Sequence, residues 1–176
     1  DTTLARCLGP KRWRSVDVAR RCVGLAHRPQ GVYLSGAVGT GKSLLMDLVH
    51  AEAVRLKVAS VRVHWHEWID DVHRRLHAMR GTGHSQRRKL RQVGLAYSTA
   101  RLVCFDEMAV HDVADALLLR TIVSTMLERG VELVATSNRP PRHLYENGIN
   151  RSLFLPFISL LESRLVHCDL DVLAAA

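Results

Sequence analysis

Cysteine, aromatic residues and long apolar runs are all scarce in this sequence. Its 176 residues include 4 Cys, and aromatic residues make up 5%. No two cysteines form a Cys-x-x-Cys pair and Cys104 lies within an apolar, strand-like run, so we expect reduced, buried thiols in a reducing compartment. No apolar stretch reaches the roughly 18 to 20 residues of a membrane-spanning helix, so we do not expect a membrane span.

Acidic residues are also few compared with basic ones. The chain has 17 Asp and Glu against 25 Lys and Arg, which gives a formal net charge of +8. This excess favours anionic partners, namely a nucleotide, nucleic acid or an acidic membrane surface. The basic side chains cluster at residues 11–14, 20–21 and 87–91, and such clusters are more often solvated surface than binding sites. A hydrophobic content of 47% is typical of one soluble globular domain with a sizeable core.

One glycine-rich segment has the spacing of a phosphate-binding loop, G-x-x-x-x-G-K-S, at residues 36–43. The apolar run Gly31 to Ser35 before it predicts a buried strand, and helical spacing of leucines after it predicts a helix to about Leu56. Lys42 would contact the β- and γ-phosphates, and the Ser43 hydroxyl would bind Mg²⁺. The predicted nucleotide-binding residues are Gly36, Ala37, Val38, Gly39, Thr40, Gly41, Lys42, Ser43 and Leu44.

Strand-like and helical segments alternate from residue 30 onwards. The predicted strands are 31–35, 59–64, 101–105, 131–136 and 166–170, with helices between them. This order predicts an α/β P-loop NTPase fold, a three-layer sandwich with a mostly parallel five-stranded sheet and helices on both faces. Residues 1–29 would form a helical or irregular lead-in and residues 30–176 the ATPase core. We expect the basic segment from His84 to about Ala100 to be helical and to be a surface insertion.

Paired carboxylates follow the third predicted strand. Leu102 to Glu107 has the form of a Walker B strand, in which Asp106 would hold Mg²⁺ through water and Glu107 would activate the attacking water. An acid pair that only solvates a turn is the alternative. The next strand leads to Asn138, which would contact the γ-phosphate or the water, as the residue called sensor 1 does in AAA+ ATPases. The predicted catalytic set is Lys42, Glu107, Asn138 and an arginine.

That arginine would be an arginine finger, which stabilises charge on the transferring phosphoryl group. Arg139, Arg151 and Arg164 are candidates, and we favour Arg151. Because fingers usually act across a subunit boundary, this assignment implies a homo-oligomer. No N-K-x-D motif is present, which argues against a GTPase.

Histidines and tryptophans between residues 64 and 77 have two interpretations each. His73 and His77 are four residues apart, a spacing that can share zinc, but polar-face or capping histidines are the better account. Trp65 and Trp68 fit the apolar face of the predicted helix, so we expect core residues and not base-stacking platforms.

Several segments together resemble the ZapE/AFG-one-like ATPases of the AAA+ type. The matching segments are 31–50, 63–68 with 71–77, 102–108 with 112–116, 134–141 with 144–148, and Arg151 with 154–158. The resemblance implies ATP and Mg²⁺ as ligands, a ring-shaped homo-oligomer such as a hexamer, and protein clients. It assigns nucleotide, Walker B and sensor 1 roles to the residues named above, and the finger to Arg151. Gln86 to Arg91 departs from the family pattern, and we expect the C-terminal lid with its sensor 2 arginine to be missing.

The resemblance also implies a cellular role. In eukaryotes the family acts in mitochondrial protein quality control at the inner membrane or in the matrix, and in bacteria it is associated with cell division in the cytoplasm. Membrane association would be peripheral or through missing segments. Two alternatives remain open: a nucleic-acid-dependent motor or loader, favoured by the positive charge, and a nucleotide-binding scaffold without turnover.

Overall fold

A computed structural model describes residues 29–112 and 114–171. Within them, five parallel strands form one sheet in the order β2-β3-β4-β1-β5. The strands are β1 (Gly31–Ser35), β2 (Ser60–His64), β3 (Leu102–Asp106), β4 (Glu132–Ser137) and β5 (Val166–Asp169). The helices are α1 (Lys42–Arg55), α2 (Trp65–Ala78), α3 (Gln86–Tyr97), α4 (Ala114–Glu128) and α5 (Leu155–Arg164), with short 3-10 turns at Pro141–His143 and Arg151–Leu153.

Helices cover both faces of the sheet, which confirms the predicted three-layer α/β sandwich. All five residues of β3 are buried, and successive side chains of a strand point to opposite faces, so both faces of the sheet are covered at this strand. Leu102 and Cys104 pack with Met46 of α1 on one face, whereas Val103 and Phe105 belong to the larger core under the other helices. The lead-in predicted for residues 1–29 lies outside the described residues, apart from Pro29.

The tryptophans confirm their predicted place in the core. Trp65 and Trp68 are 3% and 2% exposed, and the Trp68 ring lies 4.7 Å from the ring of Phe105. The larger core therefore extends under α2 to the end of β3. Within the described ranges, no helix combines the length and apolar character needed to cross a membrane.

Helix α3 corrects the prediction of a surface insertion between His84 and Ala100. Leu90 and Val93 are 2% and 0% exposed and belong to the larger core. Gly94 allows a close approach to α4, since a Cβ there would lie 2.7 Å from the Thr125 Cβ and 2.9 Å from the Ile122 carbonyl oxygen. The segment is helical as expected, but one of its faces is part of the core and only the other carries the exposed arginines.

Two turns flank strand β4 in the chain. Gly130, with φ +80°, ends α4, and the amides of Gly130 and Val131 donate to the carbonyls of Leu127 and Met126. After β4, a 3-10 turn at Pro141–His143 is followed by irregular turns.

Candidate functional site

The predicted site residues converge at the carboxyl edge of the sheet. Strand β4 lies between β1, which leads into the glycine-rich loop, and β3, which ends at Asp106. A cavity of about 290 Å³ opens at this edge. Its lining consists of Val38, Gly39, Gly41, Lys42, Ser43, Leu44, Glu107, Thr136, Ser137 and Asn138. Parallel α/β sheets bind ligands at this position.

The glycine-rich loop has the backbone shape of an anion cradle. Gly39 and Gly41 have φ angles of +87° and +86°, in the left-handed region that favours glycine, and no atom lies within 4 Å of where their Cβ atoms would be. Gly41 is the N-cap of α1, so the positive end of that helix faces the cavity. Lys42 folds back over the loop, where its Nζ donates to the carbonyls of Gly36 (2.8 Å) and Ala37 (2.6 Å).

The loop is also held by Asp171, which lies two residues after the end of β5. The carboxylate of Asp171 accepts the backbone N–H of Ala37 with both oxygens, at 2.9 and 3.1 Å. Gly36 allows this, since a Cβ at that position would lie 3.3 Å from Asp171 Oδ1 and 2.9 Å from Thr40 Oγ1. The loop therefore starts from an anchored residue.

Asp106 is the most densely bonded side chain of the site. It is 3% exposed, and its Oδ1 accepts from the hydroxyls of Thr136 (2.7 Å) and Ser43 (3.3 Å), while its Oδ2 accepts from Arg62 (2.6 Å). Burial acts to raise the pKa of Asp106, but the hydrogen bonds from Arg62 and Thr136 outweigh it, and the pKa lies below its ordinary value. The carboxylate is therefore ionised at neutral pH.

Glu107 sits beside it in a different environment. Its side chain is exposed and lines the cavity, and its backbone has φ +57°, an uncommon value for glutamate. The Glu107 N–H donates to Thr136 Oγ1 at 2.9 Å, which holds this conformation. One threonine hydroxyl thus fixes both acids, and strain of this kind often marks functional positions.

The residues present fit a bound Mg²⁺. The Ser43 hydroxyl and the Asp106 carboxylate face each other at 3.3 Å beside the cavity, and both are the hard oxygen ligands that Mg²⁺ prefers. Mg²⁺ takes few protein ligands and keeps waters and phosphate oxygens, so this small donor set suffices.

The histidine pair shows no metal arrangement. His73 Nε2 lies 2.9 Å from Asp115 Oδ1. Across residues 29–112 and 114–171, no group of three His, Cys, Asp or Glu side chains is arranged to hold a metal ion.

The remaining predicted residues lie at different distances from the cavity. Asn138 is exposed and lines it. Arg151 does not line it, and its guanidinium donates to the Arg142 carbonyl. Arg164 contacts Gln30, which precedes β1 at the opposite edge of the sheet, so Arg164 is the poorest finger candidate of the three. Arg139 follows Asn138 directly and is exposed.

The sequence did not single out Thr136, Arg62 and Asp171 as site residues. Thr136 was noted only as part of a strand end, and its hydroxyl meets the two acids only because β4 pairs with β3. Arg62 and Asp171 reach the site only through the pairing of β2 with β3 and of β5 with β1, which no local pattern shows.

Sequence comparisons find a matching family model and similar proteins. A family model described as AFG1-like ATPase matches residues 7–173. Lactation elevated protein 1 homolog B of Danio rerio is 40% identical over 158 residues, covering 83% of this chain and 31% of that protein. Cell division protein ZapE of Escherichia coli K12 is 38% identical over 145 residues, covering 81% and 36%. The chain thus spans about a third of the length of these relatives.

Solved structures share the fold at lower identity. A crystal structure of DnaI superposes with a TM-score of 0.57 at 16% identity, covering 92% of this chain and 86% of that one. This likeness shows that the two chains share a fold. The family match also confirms the resemblance found in the sequence.

Proposed function

The chain belongs to the AFG1-like ATPase family, and from that premise we propose that it binds ATP with Mg²⁺ and hydrolyses the γ-phosphate bond. The observation that carries this proposal is the meeting of Ser43 and Asp106 beside a cavity that also contains Lys42 and Glu107. Bound Mg²⁺ would neutralise charge on the phosphates.

The chain's own residues divide the work. Lys42 leaves the loop carbonyls to contact the β- and γ-phosphates, which replaces two neutral acceptors by charged ones. Ser43 and Asp106 supply oxygens for the metal. Glu107, the exposed acid of the pair, accepts a proton from the attacking water, and Asn138 orients that water.

The test separates binding from turnover. Glu107→Gln keeps the shape of the side chain but removes the base, so we expect ATP affinity within about threefold of wild type and phosphate release slower by a factor of about 10² to 10⁴. Glu128→Gln, an exposed acid on α4, is the matched control. Wild-type turnover in the Glu107→Gln protein would show that another group is the base.

We propose further that the active form is a ring in which Arg151 serves the site of a neighbouring subunit. Support comes from its place outside its own chain's cavity. Arg151→Ala and Lys42→Ala should each abolish turnover alone, yet mixing them should restore part of it, because some interfaces then pair an intact lysine with an intact arginine. No recovery on mixing, in assemblies shown to exchange subunits, would place the arginine's role within one chain.

The ring would use hydrolysis to remodel protein clients. The family supports this role, with a mitochondrial location for a eukaryotic source and a cytoplasmic, division-linked one for a bacterial source. Crosslinking of client proteins to a Glu107→Gln trap, combined with organelle fractionation, tests client class and compartment together.

One observation favours a second candidate, a nucleic-acid-dependent motor or loader. A groove of about 450 Å³ between α3 and α4 is lined by arginines from both helices, Arg87, Arg91 and Arg120, with Glu128 at one side. Phosphate contacts there would make DNA or RNA binding fall steeply with salt. Titration at 50 and 200 mM salt decides, and no binding at the lower salt removes this candidate.

A further inference from the structure

Arg62 lies on the edge strand β2 and reaches the nucleotide site from behind. Its guanidinium bridges two carboxylates: one arm contacts Asp47 of α1, and the other lies 2.6 Å from Asp106 Oδ2. The side chain is 32% exposed, and β2 is an edge strand of the sheet that the described residues form. Both terminal nitrogens of the guanidinium are therefore paired with carboxylates in and beside the site.

The two oxygens of Asp106 have separate partners. Oδ2 accepts from Arg62, whereas Oδ1 accepts from Ser43 and Thr136. Arg62 does not line the cavity, but Ser43 does. The arginine and the serine thus contact different oxygens of one carboxylate. Arg62 can therefore keep its contact with Asp106 when a ligand binds beside Ser43.

The charge balance of the cavity gives this contact a consequence. The lining residue Glu107 and the adjacent Asp106 bring two negative charges to a site proposed to bind a polyphosphate, and Lys42 alone opposes them among the lining residues. Bound Mg²⁺ would offset the two negative charges. A nucleotide that binds or dissociates without the metal would be repelled by them.

We propose that Arg62 is a positioning residue that offsets the charge of Asp106 from behind, so that the site accepts the nucleotide polyphosphate even when Mg²⁺ is absent. This inference rests on the proposed nucleotide binding. It requires that loss of Arg62 weakens metal-free ATP more than Mg–ATP, because bound Mg²⁺ supplies the positive charge that the variant lacks.

The experiment measures the dissociation constant of a fluorescent ATP analogue in excess Mg²⁺ and in EDTA. For Arg62→Gln, the ratio of the EDTA value to the Mg²⁺ value should rise roughly tenfold over wild type, which is the effect of one unit charge acting on another across about 12 Å at an effective dielectric of about 20. Arg62→Lys keeps the charge and should return the ratio to within about threefold of wild type.

A matched control removes an arginine elsewhere on the adjoining helix. Arg55 pairs with Glu52 on α1, twelve residues beyond Ser43, which is about 18 Å along the helix and farther than the ~10 Å Debye length. Arg55→Gln should leave the ratio unchanged. The side chain of Asp47 is 48% exposed. Asp47→Asn should lower the ratio of the EDTA value to the Mg²⁺ value about two- to threefold, because Asp47 no longer neutralises part of the charge of Arg62.

Each outcome decides. Equal weakening by Arg62→Gln in Mg²⁺ and EDTA would reduce the arginine to a structural support and overturn the proposal. If that variant does not fold, the Asp47→Asn result still decides, and an unchanged or wider ratio overturns it. Absence of binding by the wild-type chain in both buffers would instead refute the proposed nucleotide site, which is a different result.

Discussion

Replacing Thr136 by valine tests how the two acids of the site are held. The side chain is 1% exposed, and its hydroxyl both donates to Asp106 Oδ1 at 2.7 Å and accepts from the Glu107 N–H at 2.9 Å. Valine has nearly the same shape, so the cavity term is small. The change leaves a buried carboxylate one donor short and a backbone N–H without its acceptor.

The expected cost follows from these two bonds. A hydrogen bond to a charged group is worth about 1.5–3 kcal/mol, and an orphaned N–H costs about 1 kcal/mol or more. We therefore expect Thr136→Val to lower the free energy of unfolding by about 3 kcal/mol at pH 7. Urea denaturation followed by circular dichroism measures this, provided the m-values of variant and wild type agree.

A second buried threonine supplies the control. Thr125 is 3% exposed, but its hydroxyl donates only to the Thr121 carbonyl within α4, so valine there orphans no partner that lacks another bond. We expect a cost below about 1 kcal/mol. If Thr136→Val lowers the free energy of unfolding by no more than Thr125→Val does, the inference that the Thr136 hydroxyl fixes both acids is wrong.

Two further predictions concern the helices. Gly94→Ala should destabilise by about 1–2 kcal/mol in urea unfolding although alanine favours helix by about 1 kcal/mol, because the added Cβ meets Thr125 and Ile122; a gain in stability would show that the helices can separate freely. Tyr97→Phe removes a hydrogen bond to Asp71. Burial acts to raise the pKa of Asp71, but the hydrogen bonds from Tyr97 and Arg75 outweigh it and the pKa lies below its ordinary value. Because a depressed pKa adds stability above the unfolded-state pKa and loses it as pH falls through the folded value, the variant should lose about 1 kcal/mol at pH 7 and less at pH 3, measured by unfolding at both; equal losses would contradict this.

Local patterns in the sequence predicted most of the sheet. The predicted bounds of β1 are the observed ones, and β3 and β4 were placed to within one residue at each end, because buried parallel strands are short apolar runs bounded by glycine or polar residues. The sequence also predicted the glycine-rich loop and the Asp106-Glu107 pair, because each is a contiguous motif.

What escaped prediction depends on pairing across the fold. Leu90 and Val93 are two apolar residues in a helix of many charges, and only the approach of α4 at Gly94 shows that they are core. Arg62 and Asp106 are 44 residues apart, and their contact exists because β2 pairs with β3 in one register. A shift of that register would move the arginine away from the acid, and nothing local in the sequence specifies it.

The order of the strands has a last consequence. The loop follows β1, the acids lie at the end of β3 and Asn138 follows β4, so the three parts are adjacent in space but come from segments some 30 to 100 residues apart in the chain. Fraying of any central strand would dismantle the ligand's surroundings as a whole, and no partly unfolded form should retain affinity. Nucleotide should therefore raise the melting temperature of the entire domain as one cooperative unit, with a shift that grows with the logarithm of ligand concentration.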